Sequence, residues 1–253
     1  MKMTREQYRY FLKDTVRLTI DFSETDQSRG IPAPPIQKPA PEGATRIDLV
    51  SAHDWKGIEN VDLTTTVAGR RSVRSYLPDP LSLDELSYLL WATQGIREKA
   101  SDSTAFRTVP SAGCRHSFET YVCAMNVAGL LPGIYRYLAL ENQLVLVSED
   151  PAIGPRLAQA ALGQAFVGRA AATFVWTALP YRMEWRYGLA AHKVIAIDIG
   201  HVCQNLYLAC SAVGAGTCAV AAYHQAALDA LLGVDGEDEF SLYLAPVGKA
   251  ARI

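Results

Sequence analysis

Residues 69–76 read GRRSVRSY. Arg70, Arg71 and Arg74 surround Ser72 there, in a chain whose formal net charge is only -2. Guanidinium groups fork onto phosphate oxygens in a bidentate way, and a hydroxyl can complete the cradle. If the segment is a helical turn, Arg70 and Arg74 share one face. The same residues would serve equally as a charged turn facing solvent. Downstream, RTVPSAGCRHSFETY (107–121) passes from Pro110 through Ser111, Ala112 and Gly113 to Cys114. Such small residues let backbone groups approach a flat ligand closely, or simply turn the chain. VGAGTCAVAAY (213–223) places Gly214 and Gly216 after a long apolar run. It lacks the third glycine of GxGxxG and follows a helical pattern, so it is not a Rossmann fingerprint, and no GxxxxGK[ST] loop exists. His201, Cys203, Cys210 and Cys218 lack the paired spacing of a zinc site and read as core residues, so no metal is expected. No GxSxG elbow and no Ser/His/Asp set stands out.

Several elements must position these stretches. Residues 4–20 predict a helix opened by a Thr4/Gln7 capping box. GIPAPPIQKPAPEG (30–43) holds five prolines and predicts an extended arm. LSLDELSYLLWATQG (81–95) predicts a helix with a Ser82/Glu85 capping box and Gly95 at its end. Residues 119–150 predict a strand meander, 151–165 a helix opening on Pro151 or Pro155, and 171–180 a buried strand. AHKVIAIDIGHVCQNLYLACSAVGAG (191–216) is apolar nearly all round and predicts a central buried helix ending at Gly214 or Gly216. TCAVAAY and FSLYLAPVG read as strands flanking a short helix at 224–232. Helices interspersed with a meander, without strict βαβ alternation, predict an α+β fold. The arm is read as part of an N-terminal unit, 1–60, preceding a main domain at 61–253.

The bulk numbers exclude several classes. At 253 residues the chain can bury a sizeable core. Near-neutral charge argues against generic nucleic-acid binding. The apolar stretch near 194–213 is interrupted by Asp198, His201, Gln204 and Asn205, which makes a membrane span a poor reading. The N-terminus lacks the apolar core of a signal peptide, and five cysteines without framework spacing read as reduced thiols of a cytoplasmic protein.

Taken together, RRSVRSYLPDPLSLDELSYLLWATQGI (70–96), FRTVPSAGCRHSFETYV (106–122), PGIYRY (132–137), IDIGHVCQNLYLACSAVGAGTCAV (197–220) and LYLAPVGK (242–249) resemble the FMN-dependent nitroreductase family. The likeness is greatest to the branch of thiazole/oxazole-forming peptide dehydrogenases. The resemblance implies an intertwined homodimer with FMN at the subunit interface, each protomer a three-layer α/β/α sandwich around a mainly antiparallel sheet. It places Arg70, Arg71, Ser72 and Arg74 on the FMN phosphate, ribityl chain and pyrimidine edge. It brings Pro110, Ser111, Ala112, Gly113 and Cys114 to FMN from the partner protomer, runs Gly214 and Gly216 past the isoalloxazine, and sets Lys249 and Arg252 near the phosphate. The helix at 191–213 would be the dimer core. Hydride would pass from NAD(P)H through FMN to an organic acceptor, a small molecule or a peptide, in a ping-pong cycle. A flavin-binding protein without turnover is the alternative of another class. The branch's Lys-Tyr pair before a glycine stands here as Arg186-Tyr187, and its Gly-Gly after the serine as Ala112-Gly113. A guanidinium stays protonated to a pKa above ~12 and cannot act as a base, so Arg186 departs from the branch's proton chemistry while Tyr187 remains a candidate donor.

Overall fold

The computed structural model describes residues 4–251. The chain opens on α1 (Arg5–Leu12), and Thr4 and Gln7 form the expected reciprocal cap. The helix is shorter than its apolar pattern predicts. Lys13 is extended (φ -85°, ψ 151°), and a 3-10 turn over Asp14–Thr19 follows. Asp14, Thr15 and Val16 are weak helix formers, and α1 buries no residue, so no packing extends it.

The Pro-rich arm runs extended to β1 (Arg46–Asp48), and α2 (Leu63–Gly69) and α3 (Leu83–Gln94) follow. Ser82 and Glu85 cap α3 reciprocally, and Gly95 ends it. A hairpin, β2 (Ile96–Ser101) and β3 (Thr104–Arg107), stands apart from the main sheet. The predicted meander is β4 (Phe118–Ala124), β5 (Gly133–Leu138) and β6 (Gln143–Glu149). Then come α4 (Ile153–Ala160), β7 (Ala172–Ala178), α5 (Tyr181–Tyr187), α6 (Ala191–Ala212), β8 (Ala215–Thr217), α7 (Gln225–Leu232) and β9 (Phe240–Lys249). Among the described residues the main sheet has seven strands in the order β1-β6-β5-β4-β7-β9-β8, and each adjacent pair is antiparallel.

Strand alternation divides the core into two layers. Val122 and Ala124, Phe174 and Trp176, and Ala245 and Val247 face one cluster, where Leu86, Leu89 and Leu90 of α3 meet Ile195, Val202 and Leu206 of α6. Tyr121, Cys123, Val175 and Leu244 face the other, against Leu157 of α4 and Leu228 and Leu232 of α7. The result is an α+β, three-layer arrangement around an antiparallel sheet. By length and composition the helical stretch Tyr181–Ala212 could cross a bilayer, yet Ile195, Ile199, Val202 and Leu206 of α6 are buried in this core. It is not buried all round. Ala196, Ile197, Gly200, His201 and Gln204 form an exposed face along it.

One buried carboxylate ties three elements together. Glu119 of β4 accepts from Arg182 Nη2 of α5 at 2.5 Å, from Arg136 Nη1 of β5 at 3.3 Å and from the Lys38 backbone N–H of the arm at 2.7 Å. Arg136 donates onward to the Lys38 and Pro39 carbonyls, and Arg107 to the Ile36 carbonyl. Burial alone would raise the Glu119 pKa, but the Arg182 and Arg136 charges outweigh it and hold the carboxyl below its ordinary value. Stability from this group is therefore complete above the ordinary glutamate pKa and fades as pH falls through its folded-state pKa. Glu119→Gln leaves two buried guanidiniums without their anion and is expected to destabilise the fold by about 3 kcal/mol or more. Urea unfolding at neutral pH would show this as a lower midpoint, and the gap to wild type should narrow in acid.

Candidate active site

The arginine segment is extended where its spacing allowed a helical turn. The helix α2 ends at Gly69, and Arg70 already has φ -59° and ψ 123°. The physical reason is the sheet beside it. Val73 N–H donates to the Thr217 carbonyl (2.9 Å) and Leu77 N–H to the Lys249 carbonyl (2.8 Å), so the stretch runs along β8 and the end of β9. Two glycines permit that approach. A Cβ on Gly216 would stand 2.5 Å from the Val73 side chain, and one on Gly248 would stand 2.8 Å from the Tyr76 ring.

This placement brings two of the predicted stretches to one cleft. Arg70, Arg71 and Val73 line it from one side, and Gly214, Ala215, Gly216 and Thr217 from the other, around a volume of about 450 Å³. Clefts of roughly 300–1,000 Å³ suit cofactor-sized ligands. Gly214 follows the Val213 cap of α6 with φ +60°, and nothing lies within 4 Å of where its Cβ would be. Neither guanidinium makes an ion pair among the described residues. Arg70 lies over the Tyr207 ring at 5.3 Å, and Glu59 adds a carboxylate to the lining. The hydroxyl of Thr217 is buried without a hydrogen-bond partner. Cationic donors and an open glycine on one cleft fit a phosphate-bearing flat cofactor such as FMN.

The remaining sequence candidates are placed differently. Ser72 Oγ is 3.0 Å from the Tyr207 hydroxyl, which also accepts from the Ala219 N–H, so the serine is held beside the cleft. Arg74 stands over the Phe166 ring at 5.9 Å, outside the lining. Lys249 Nζ is committed to the Glu85 carboxylate and to the Val213 carbonyl (2.8 Å). Arg252 lies outside the described residues.

None of Pro110, Ser111, Ala112, Gly113 or Cys114 lines this cleft. They form a second cluster with Arg186 and Tyr187. The loop is strained: Gly113, Cys114 and His116 have φ of 56°, 58° and 47°. Left-handed backbone at non-glycine residues persists only where its surroundings impose it. Here α5 is the support. Arg115 lies over the Trp185 ring at 4.9 Å, and Arg186 over the Tyr187 ring at 5.6 Å. A Cβ on Gly113 would stand 2.6 Å from the Tyr187 hydroxyl and 2.9 Å from Arg186 Nε. His116 Nε2 is 3.6 Å from Cys114 Sγ. Burial, reinforced by Arg107, Arg115 and Arg182, pushes the His116 pKa down to about 3, and burial raises that of Cys114. The pair is therefore neutral imidazole and neutral thiol near pH 7, not an activated nucleophile.

Sequence reasoning missed Asp198. It is 3% exposed on α6, where Ser111 Oγ donates to its Oδ2 at 2.6 Å and the Ala112 N–H at 3.1 Å. The signal was present as a lone acid inside an apolar helix, since a buried carboxylate demands donors.

A protein-family model described as the nitroreductase family matches residues 67–249. The chain belongs to the nitroreductase family. A Methanocaldococcus jannaschii protein whose name places it among nitroreductases is 35% identical over 192 residues, 76% of this chain and 93% of the other. Among solved structures, one of a Ralstonia eutropha JMP134 protein, also described as a nitroreductase, superposes with a TM-score of 0.67 at 27% identity, covering 88% of this chain and all of that one. The trifolitoxin-processing protein TfxB of Rhizobium leguminosarum bv. trifolii is 28% identical over 153 residues, and the match spans 39% of its length. The nitroreductase fold is thus shown, and with it a nitroreductase-family oxidoreductase. Gly113→Ala in this chain is expected to cost about 1–2 kcal/mol from the left-handed backbone alone, with further loss as the Tyr187 hydroxyl is displaced. Thermal unfolding of the variant beside Tyr187→Phe and Tyr187→Phe/Gly113→Ala checks this, since removing the hydroxyl should return the Tyr187 share of the clash and leave the backbone cost.

Proposed function

We propose that the protein is an FMN-dependent oxidoreductase acting as a homodimer, with each cofactor site built from both protomers. The observation that carries this reading is the pair Arg70 and Arg71 on a cleft that also holds Gly214, Gly216 and Thr217. Arg70 and Arg71 would hold the phosphate, Gly214 and Gly216 would leave room for the flat ring system, and Ser72 would steady the edge of the site through Tyr207. Bound FMN supplies the redox chemistry, accepting hydride from NAD(P)H and returning it to an organic acceptor. The loop from Pro110 to Cys114 does not line the cleft of its own chain, and α6, which follows α5 and precedes β8 in the chain, has an exposed face that includes Ile197. Both features support a second copy packing on α6 and bringing its loop, Arg186 and Tyr187 to the first copy's flavin. Arg74 and Lys249 then lie outside the lining, one against Phe166 and one held by Glu85 and the Val213 carbonyl. Five unpaired cysteines support a reducing, cytoplasmic setting.

A second reading makes the acceptor a peptide azoline. The likeness to a trifolitoxin-processing protein favours it. Arg186 opposes it, because a guanidinium cannot abstract the proton that such an oxidation requires. An azoline-bearing peptide that loses two hydrogens in the presence of the protein would establish this reading, and no turnover while the flavin still reduces would reject it.

The purified protein should be yellow, retain FMN through gel filtration and bleach on adding NAD(P)H. Arg70→Ala and Arg71→Ala should each weaken FMN binding by about tenfold or more, as loss of a charge-assisted hydrogen bond does. Arg74→Ala should weaken it less. Fluorescence titration reads all three. A colourless protein that takes up no FMN overturns the proposal, and bound FMN that no reductant or acceptor turns over leaves a flavin-binding protein without catalysis.

A further inference from the structure

We infer that Asp198 is a positioning residue, a latch that holds the strained loop 111–116 in the shape that serves the cofactor. The inference rests on the FMN reading for its consequence, but the latch itself rests on geometry. Asp198 is buried on α6, a 22-residue helix anchored in the core. Its Oδ2 receives both the Ser111 hydroxyl (2.6 Å) and the Ala112 N–H (3.1 Å). Ser111 Oγ in turn accepts the His116 N–H at 3.0 Å. The carboxylate thus holds the start of the loop directly and reaches its far end through Ser111, with Gly113 and Cys114 between those bonds and His116 at the last of them.

The energetics favour a latch over an incidental contact. Burial raises the Asp198 pKa, and the Ser111 and Ala112 hydrogen bonds oppose that shift. The ionised form is therefore stabilised by the loop's donors, and the loop by the carboxylate. A strained backbone with φ of 58° at Cys114 and 47° at His116 relaxes once that acceptor is lost. Gly113, seated against Tyr187 and Arg186, would then move away from α5. Asp198 does not line the cleft with Arg70 and touches neither Arg186 nor Tyr187 through any hydrogen bond among the described residues, so its effect on FMN passes through the loop.

The test uses the full chain and two independent readouts. Hydrogen–deuterium exchange without added flavin reports the latch, and FMN titration reports its consequence. Asp198→Ala should raise exchange at the Cys114 and His116 amides by about tenfold or more, the scale of a lost hydrogen bond to a charged group, and should weaken FMN binding by a similar factor. Asp198→Asn keeps an acceptor oxygen and should restore most of both. Ser111→Ala should raise exchange at His116, and adding it to Asp198→Ala should give less than the sum of the two effects, because both remove the Ser111–Asp198 bond. If Asp198→Ala does not fold, the Asn and Ser111→Ala variants still decide. Wild-type exchange in Ser111→Ala and Asp198→Ala alike overturns the latch. Loosened exchange with unchanged FMN affinity overturns its role for the cofactor. Wild-type protein that binds no FMN, with exchange still controlled by Asp198, sinks the FMN reading and leaves the latch.

Discussion

Glu119 could not remain ionised at 3% exposure without the two guanidiniums that meet it. Because those partners come from different elements, the carboxylate fixes where they lie. Arg182 belongs to α5, and α5 carries Arg186 and Tyr187 a turn further on. The Lys38 backbone belongs to the arm, which is fastened again through Arg136 and Arg107. The position of α5 sets the position of the strained loop packed on it, so the second half of the proposed site depends on a charge buried in the sheet. Replacing such a network by apolar residues can be neutral for stability in other proteins. Here it couples the arm, the sheet and the loop support, which apolar packing would not orient as specifically.

The two halves of the site are built by different physics. Arg70 and Arg71 are delivered by a main-chain attachment: their segment is sewn to β8 and β9, and glycines at 216 and 248 let it lie close. The loop of Ser111 to Cys114 is delivered by side chains, through Asp198 on one side and α5 on the other. The first half presents positive charge to a cleft, and the second presents a strained backbone beside two polar side chains. Neither is complete by itself in the proposed chemistry, and the exposed stripe of Ala196, Ile197 and Gly200 along α6 is where a second copy would join them.

Much of this was legible in local sequence. The Ser82/Glu85 cap, the meander and the buried strand at 172–178 depend on neighbours along the chain, and they stand where those patterns put them. The family motifs named Arg70, Arg71, Gly214 and Gly216, and the fold brings those four to one cleft. What was hidden depends on partners far away in sequence. The helical spacing of Arg70 and Arg74 said nothing of the Val73 bond to Thr217 that straightens the segment and sends Arg74 to Phe166. Lys249 is paired with Glu85, which lies 164 residues away in the chain. Asp198 reads in sequence as an interruption in an apolar helix, and its donors Ser111 and Ala112 stand 87 and 86 residues away. The apolar pattern of α6 could not say which face the chain covers and which it leaves open.

The most direct test of the account is a crystal structure of the protein grown with FMN. The phosphate should lie against the Arg70 and Arg71 guanidiniums, the ring should run past Gly214 and Gly216, and the loop of Ser111 to Cys114 reaching the ring should come from a second copy. FMN held elsewhere, or in the cleft with its phosphate away from both arginines, would contradict it.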